Sequence, residues 1–96
     1  MISKTIYKAP GGKMIRITVD HADNKIQNIK ITGDFFLYPE NTLEEMEKEL
    51  RNLPITEERI LQRLTDIVKR HKITFVGINE TSLTRAILIA CGITGP

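Results

Sequence analysis

Residues 13–20 constrain the fold most. Ile15, Ile17 and Val19 fall on one side of an alternation, and Arg16, Thr18 and Asp20 on the other. That is the period of a strand with one face in a core and the other in water. His21-Ala22-Asp23-Asn24-Lys25 follows, and Asp and Asn tolerate turn geometry. Residues 26–32 then return as a second strand, with Ile29 and Ile31 on the core side, so the pair reads as a hairpin. Upstream, residues 2–8, with Ile2 and Ile6, supply an edge strand. Pro10-Gly11-Gly12 breaks it, because proline has no amide donor and glycine accepts positive φ.

The remainder reads as helices. Thr42 and Glu45 have capping-box spacing, Leu43, Met46, Leu50 and Leu53 mark one buried stripe, and Pro54 is expected to stop that helix. Thr56 caps a second helix, with Glu57 and Glu58 in its first turn and Ile55 and Ile60 at hydrophobic-staple positions. Ile60, Leu64, Ile67 and His71 line its inner face, flanked by Leu61 and Val68. Residues 73–77 form a connector or a short strand. Asn79 caps a third helix, whose apolar face is Leu83, Ala86, Ile87 and Ala90 and whose end is marked by Gly92. Ile93-Thr94-Gly95-Pro96 adds no further element. Strands followed by helices define an α+β fold: a small antiparallel sheet of about three strands with about three helices on one face. The other sheet face, with Met14, Arg16, Thr18, Lys30 and Thr32, is left for solvent or a partner.

The 96 residues make a single domain, 1–96, and a hydrophobic fraction of 41% supplies its core. No apolar run approaches the roughly 18–20 residues of a membrane span. The N-terminus lacks the apolar stretch of a signal peptide, so a cytoplasmic location is expected. The single cysteine, Cys91, forms no internal disulfide and belongs to no metal-ligating cluster. The net charge of +2 is segregated: residues 1–30 carry six Lys or Arg against Asp20 and Asp23, while residues 40–58 carry seven Glu. A basic first third suits solvated faces, phosphates or an acidic partner. A small RNA- or nucleotide-binding module is therefore the alternative reading, although Tyr7, Phe35 and Phe36 form no spaced stacking platform.

Two short motifs carry the remaining signal. Pro10-Gly11-Gly12-Lys13 could cradle a phosphate, but it precedes a strand rather than a helix and lacks the full P-loop pattern, so alone it reads as a turn that requires glycine. Gly33-Asp34-Phe35-Phe36 ends a strand. Strict alternation puts Phe35 with Ile29 and Ile31 and leaves Phe36 outside; a bulge at Gly33 exchanges the two. His21, His71 and Cys91 have no partner at nucleophile or metal spacing, and no catalytic residue is assigned.

Lys8-Ala9-Pro10-Gly11-Gly12-Lys13 leading into a strand, the Gly33-Asp34-Phe35-Phe36 strand end, Pro39 and the Leu43–Leu53 helix together resemble the C-terminal accessory domain of lipoate–protein ligases. The resemblance covers essentially the whole chain. It implies a fold similar to iron–sulfur scaffold proteins, without their cysteines. With no ligase domain before Met1, it points to the split, two-subunit form. It further implies an inactive accessory subunit, bound as a heterodimer to a large subunit that holds ATP, Mg and lipoate. The large subunit forms lipoyl-AMP and passes lipoyl to a lysine of an acceptor domain, with which this chain deals only indirectly. Nucleic acid and membrane are not expected partners, and this chain alone is expected to bind no cofactor. Lys8, Pro10, Gly11, Gly12, Lys13, Gly33, Asp34, Phe35 and Phe36 are then expected to face the partner or its active site. Lys13 is placed to neutralise phosphate charge, Asp34 to pair with a cation, and one phenylalanine to anchor the complex.

Overall fold

Ile15, Ile17 and Val19 do face inward, and the sheet is built around them. In the computed structural model, which describes residues 1–93, β1 (Ile2–Lys8) pairs antiparallel with β2 (Met14–Ala22), and β2 with β3 (Lys25–Gly33). The order is β1-β2-β3. Asp23 and Asn24 turn the hairpin, both in the left-handed region at φ 53° and 60°, a two-residue connection whose twist matches that of the strands. Opposite Asp20 and His21 the register slips: Asp20 pairs with Asn28 and His21 with Ile26. Gln27 is the extra residue, and this bulge returns Ile26 to the core side, where it is fully buried.

Three helices cover the inner face: α1 (Thr42–Glu49), α2 (Glu57–His71) and α3 (Glu80–Ala90). Helix α3 lies against β1 and β2, α1 against β3, and α2 packs on both other helices. Met46, Leu50, Ile60, Leu64, Ile67 and Leu83 close the core from the helical side with no exposed surface. The caps of α2 and α3 form as expected. The Arg59 amide donates to Thr56 Oγ1 at 3.2 Å. Asn79 and Ser82 make a reciprocal capping box, at 2.8 Å and 2.9 Å. Gly92 ends α3 at φ 75°; its amide donates to the Ile89 carbonyl and that of Ile93 to the Leu88 carbonyl, each at 3.0 Å. That is the Schellman pattern. Residues 94–96, expected to add no element, lie outside the described residues. Among the described residues no helix is long and apolar enough to cross a membrane.

The ends of α1 depart from expectation. Thr42 is not the cap: Asn41 holds that position without a side-chain cap bond. Thr42 is buried inside the first turn, and its hydroxyl donates to the Pro39 carbonyl at 2.5 Å. The tight turn from Pro39 claims the hydroxyl before the helix can use it, and the Thr42–Glu45 capping box does not form. Nor does Pro54 stop the helix. It ends at Glu49, with Asn52 left-handed at φ 64°. The Asn52 amide donates to the Ile26 carbonyl at 2.7 Å and the Ile26 amide to the Leu53 carbonyl at 3.0 Å. The start of β3 thus captures the backbone that a longer helix would have needed.

Residues 73–77 resolve into a strand. Beside the three-stranded sheet stands a two-stranded ribbon, in which β4 (Phe36–Tyr38) pairs antiparallel with β5 (Thr74–Val76).

Candidate docking site

The Pro-Gly-Gly turn is closed by its own backbone. The Ala9 amide donates to the Lys13 carbonyl at 2.7 Å and the Gly12 amide to the Ala9 carbonyl at 2.9 Å. Gly11 and Gly12 sit at φ 97° and 96°. Two of the amides that a phosphate cradle could use are therefore taken by the turn itself. Lys8, Pro10, Gly11, Gly12 and Lys13 are all exposed, and neither lysine makes an ion pair among the described residues.

The second motif meets the first at the next residue of the chain. Met14, which follows Lys13, accepts the Asp34 amide on its carbonyl at 3.0 Å, and Ile15 pairs with Gly33. A Cβ at Gly33 would stand 2.2 Å from that Met14 carbonyl oxygen and 3.0 Å from the Phe35 ring. Only glycine permits this approach. Past it, Phe35 packs against the core and Phe36 is 60% exposed. The alternation runs through Gly33 without an exchange of the two rings. Asp34 is exposed.

Phe36 then pairs with Val76, and Tyr38 with Thr74. Residues directly opposite share a face, so Phe36, Tyr38 and Val76 present one apolar surface, 60%, 51% and 47% exposed, while Leu37 and Phe75 turn inward. Gly77 follows Val76, and the Lys13 side chain lies across it: a Cβ there would be 2.5 Å from Lys13 Cγ. The two sequence motifs are thus joined through Lys13, Gly77, Val76 and Phe36. Tyr38, Val76 and Gly77 belong to this surface although their own sequence contexts give no sign of it. A groove of about 500 Å³ opens beside the same turn, with Tyr7 and Pro10 on one side and Asn79, Arg85 and Leu88 on the other.

The residues capable of chemistry do not assemble here. His21 Nε2 lies 3.0 Å from Ser3 Oγ, tying β2 to β1. His71 Nε2 lies 3.6 Å from a Glu49 carboxylate oxygen, where α1 meets α2. Cys91 is buried, and the loss of solvent pushes its thiol up to about 11, away from the reactive thiolate. Among the described residues no group of three or more His, Cys, Asp and Glu could hold a metal ion. What the surface offers is an exposed aromatic ring, a neighbouring cation and a close backbone junction.

Fold and surface together define a small α+β module whose distinctive residues gather at one edge. Residues 5–87 match the family described as the bacterial lipoate protein ligase C-terminus, and the chain belongs to that family. It is 38% identical over 69 residues to Lipoate-protein ligase A subunit 2 of Thermoplasma acidophilum. That match covers 72% of this chain and 65% of the relative, just short of two thirds of its length. Its fold superposes with a TM-score of 0.80 and 30% identity on a chain from a solved archaeal lipoylation system, a bi-partite lipoate protein ligase and its E2 lipoyl domain from Thermoplasma acidophilum. That superposition covers 91% of this chain and 94% of the other.

Proposed function

We propose that this chain is the accessory subunit of a two-subunit lipoate–protein ligase and works as a heterodimer with a large catalytic subunit. The large subunit binds ATP, Mg and lipoate. The lipoate carboxylate attacks the α-phosphate of ATP, pyrophosphate leaves, and lipoyl-AMP forms. The amine of an acceptor-domain lysine then attacks the acyl carbon and AMP leaves. This chain supplies no reacting group. It docks beside the site, excludes water from an adenylate that hydrolysis would waste, and orders the loops around it. The observation that carries this reading is the joining of both family motifs into one exposed surface, Lys13 over Gly77 beside Phe36 and Val76. A buried aromatic at the centre of a contact commonly carries much of the binding energy, and Phe36 is the more exposed of the two rings on this surface. Lys13, held against the ribbon, brings a positive charge to the edge of the nucleotide site.

ATP–pyrophosphate exchange tests the reading. The isolated chain gives no lipoate-dependent exchange, and adding the cognate large subunit restores it. Exchange by the isolated chain, or full exchange by the large subunit without it, overturns the proposal. Lys13→Ala lowers exchange in the mixture while leaving complex formation intact; unchanged exchange would reduce Lys13 to a turn residue.

A further inference from the structure

The exposed ribbon is too small to hold two subunits together. Stable interfaces bury roughly 800 Å² on each partner, well beyond what three side chains on a short ribbon supply. The contact must spread, and the outward face of the main sheet adjoins the ribbon: Thr32 of that face and Phe36 line the same shallow groove. The register lays this face out in rows, Lys4 beside Thr18 and Lys30, Ile6 beside Arg16 and Thr32, Lys8 beside Met14. Ile2 and Ile6 are each 67% exposed. None of Lys4, Lys8, Arg16 and Lys30 has an ion-pair partner among the described residues. Of the acids on this side, Asp20 lies 3.3 Å from the Met1 ammonium, and Asp34 stands exposed between Thr32 and the Phe36 ribbon. Four cations around an exposed isoleucine pair repel one another in the free chain, and anions brought by a partner would relieve that repulsion.

Resting on the two-subunit reading above, we infer that the docking surface runs from the Phe36 ribbon across the open face of the sheet, and that the large subunit meets that face with a carboxylate-rich surface. A nucleic acid is the less suitable occupant, because the rows carry no aromatic ring on which a base could stack. Lys48 and Arg70 of the helical layer, exposed but already paired with carboxylates, take no part.

Calorimetric titration of the full chain against the large subunit, at about 50 mM and about 500 mM NaCl, tests this. Arg16→Glu and Lys30→Glu each weaken binding roughly tenfold at low salt. Their combination weakens it further and flattens the salt dependence, while Arg59→Glu, exposed in the first turn of α2, changes nothing. Arg16→Gln and Lys30→Gln give smaller losses in the same direction, and circular dichroism melting of each variant establishes that it is folded. Unchanged affinity of the folded double variant, with Phe36→Ala still weakening the complex, removes the extended surface and leaves the two-subunit reading standing. No binding by the wild-type chain overturns both. Binding to poly(U) RNA that the reversals abolish, with affinity for the large subunit unchanged, assigns the face to nucleic acid and overturns the inference.

Discussion

The Asp34 amide donates to the Met14 carbonyl at 3.0 Å. One hydrogen bond thus ties the strand that follows the glycine turn to the strand end that carries the phenylalanines. The chain can make it because Gly33 brings no side chain into the junction. Gly33→Ala would put a carbon 2.2 Å from the same carbonyl oxygen, so the junction must open. We expect a loss of about 2 kcal/mol or more in urea unfolding. Lipoate-dependent exchange in the reconstituted pair should fall as well, since the ribbon that presents Phe36 is displaced.

Adjacent phenylalanines should separate stability from binding. Phe36→Ala removes a ring that is 60% exposed and should shift unfolding by no more than about 0.5 kcal/mol, yet weaken the complex by at least about 1.4 kcal/mol, or tenfold. Phe35→Ala removes a ring packed on the core and should cost about 2 kcal/mol of stability through the cavity it leaves. Urea titration and calorimetry on the same two proteins measure both. A complex indifferent to both substitutions would leave the surface without its anchor.

These rings also mark how far local sequence reaches. The alternation of Ile15, Ile17 and Val19, the turn at Asp23 and Asn24, and the caps at Thr56, Asn79 and Gly92 are set by residues within a few positions of one another, and all are legible in the chain. What was not legible depends on distant partners. Thr42 has good capping spacing with Glu45, but the Pro39 carbonyl takes its hydroxyl. Helix α1, which ends at Glu49, would have run toward Pro54 had Ile26 not paired with Asn52 and Leu53. At the candidate surface, both motifs stand out in the sequence. Their meeting through Gly77 does not, because Phe36 and Val76 are brought together only by the packing of two helices between them.

An edge strand needs protection from other edges, and Glu47 supplies some of it. Its carboxylate accepts the Ile31 amide at 2.7 Å, reaching from α1 to the outer side of β3. Glu47→Ala leaves that amide without its partner and should cost about 1–2 kcal/mol. Glu47→Gln retains an acceptor of similar reach and should recover most of the loss. Urea midpoints rank the three proteins, and hydrogen exchange at Ile31 should quicken in the alanine variant ahead of its neighbours in β3.

Cys91 provides a titration that reports on folding. Its thiol ionises near 9.0 when solvated and at about 11 in the fold, because burial disfavours the thiolate. The unfolded chain therefore sheds this proton first as pH rises. The contribution of Cys91 to stability is fully present below pH 9 and is lost progressively between the two values, up to about 2 kcal/mol. The measure is the difference between wild type and Cys91→Ala. The gap in unfolding free energy between them should be constant from pH 7 to pH 9 and narrow above it. Alkylation by iodoacetamide at pH 8 should be slow in the native protein and accelerate in urea in parallel with unfolding. Rapid native alkylation would mean that the end of α3 opens without global unfolding.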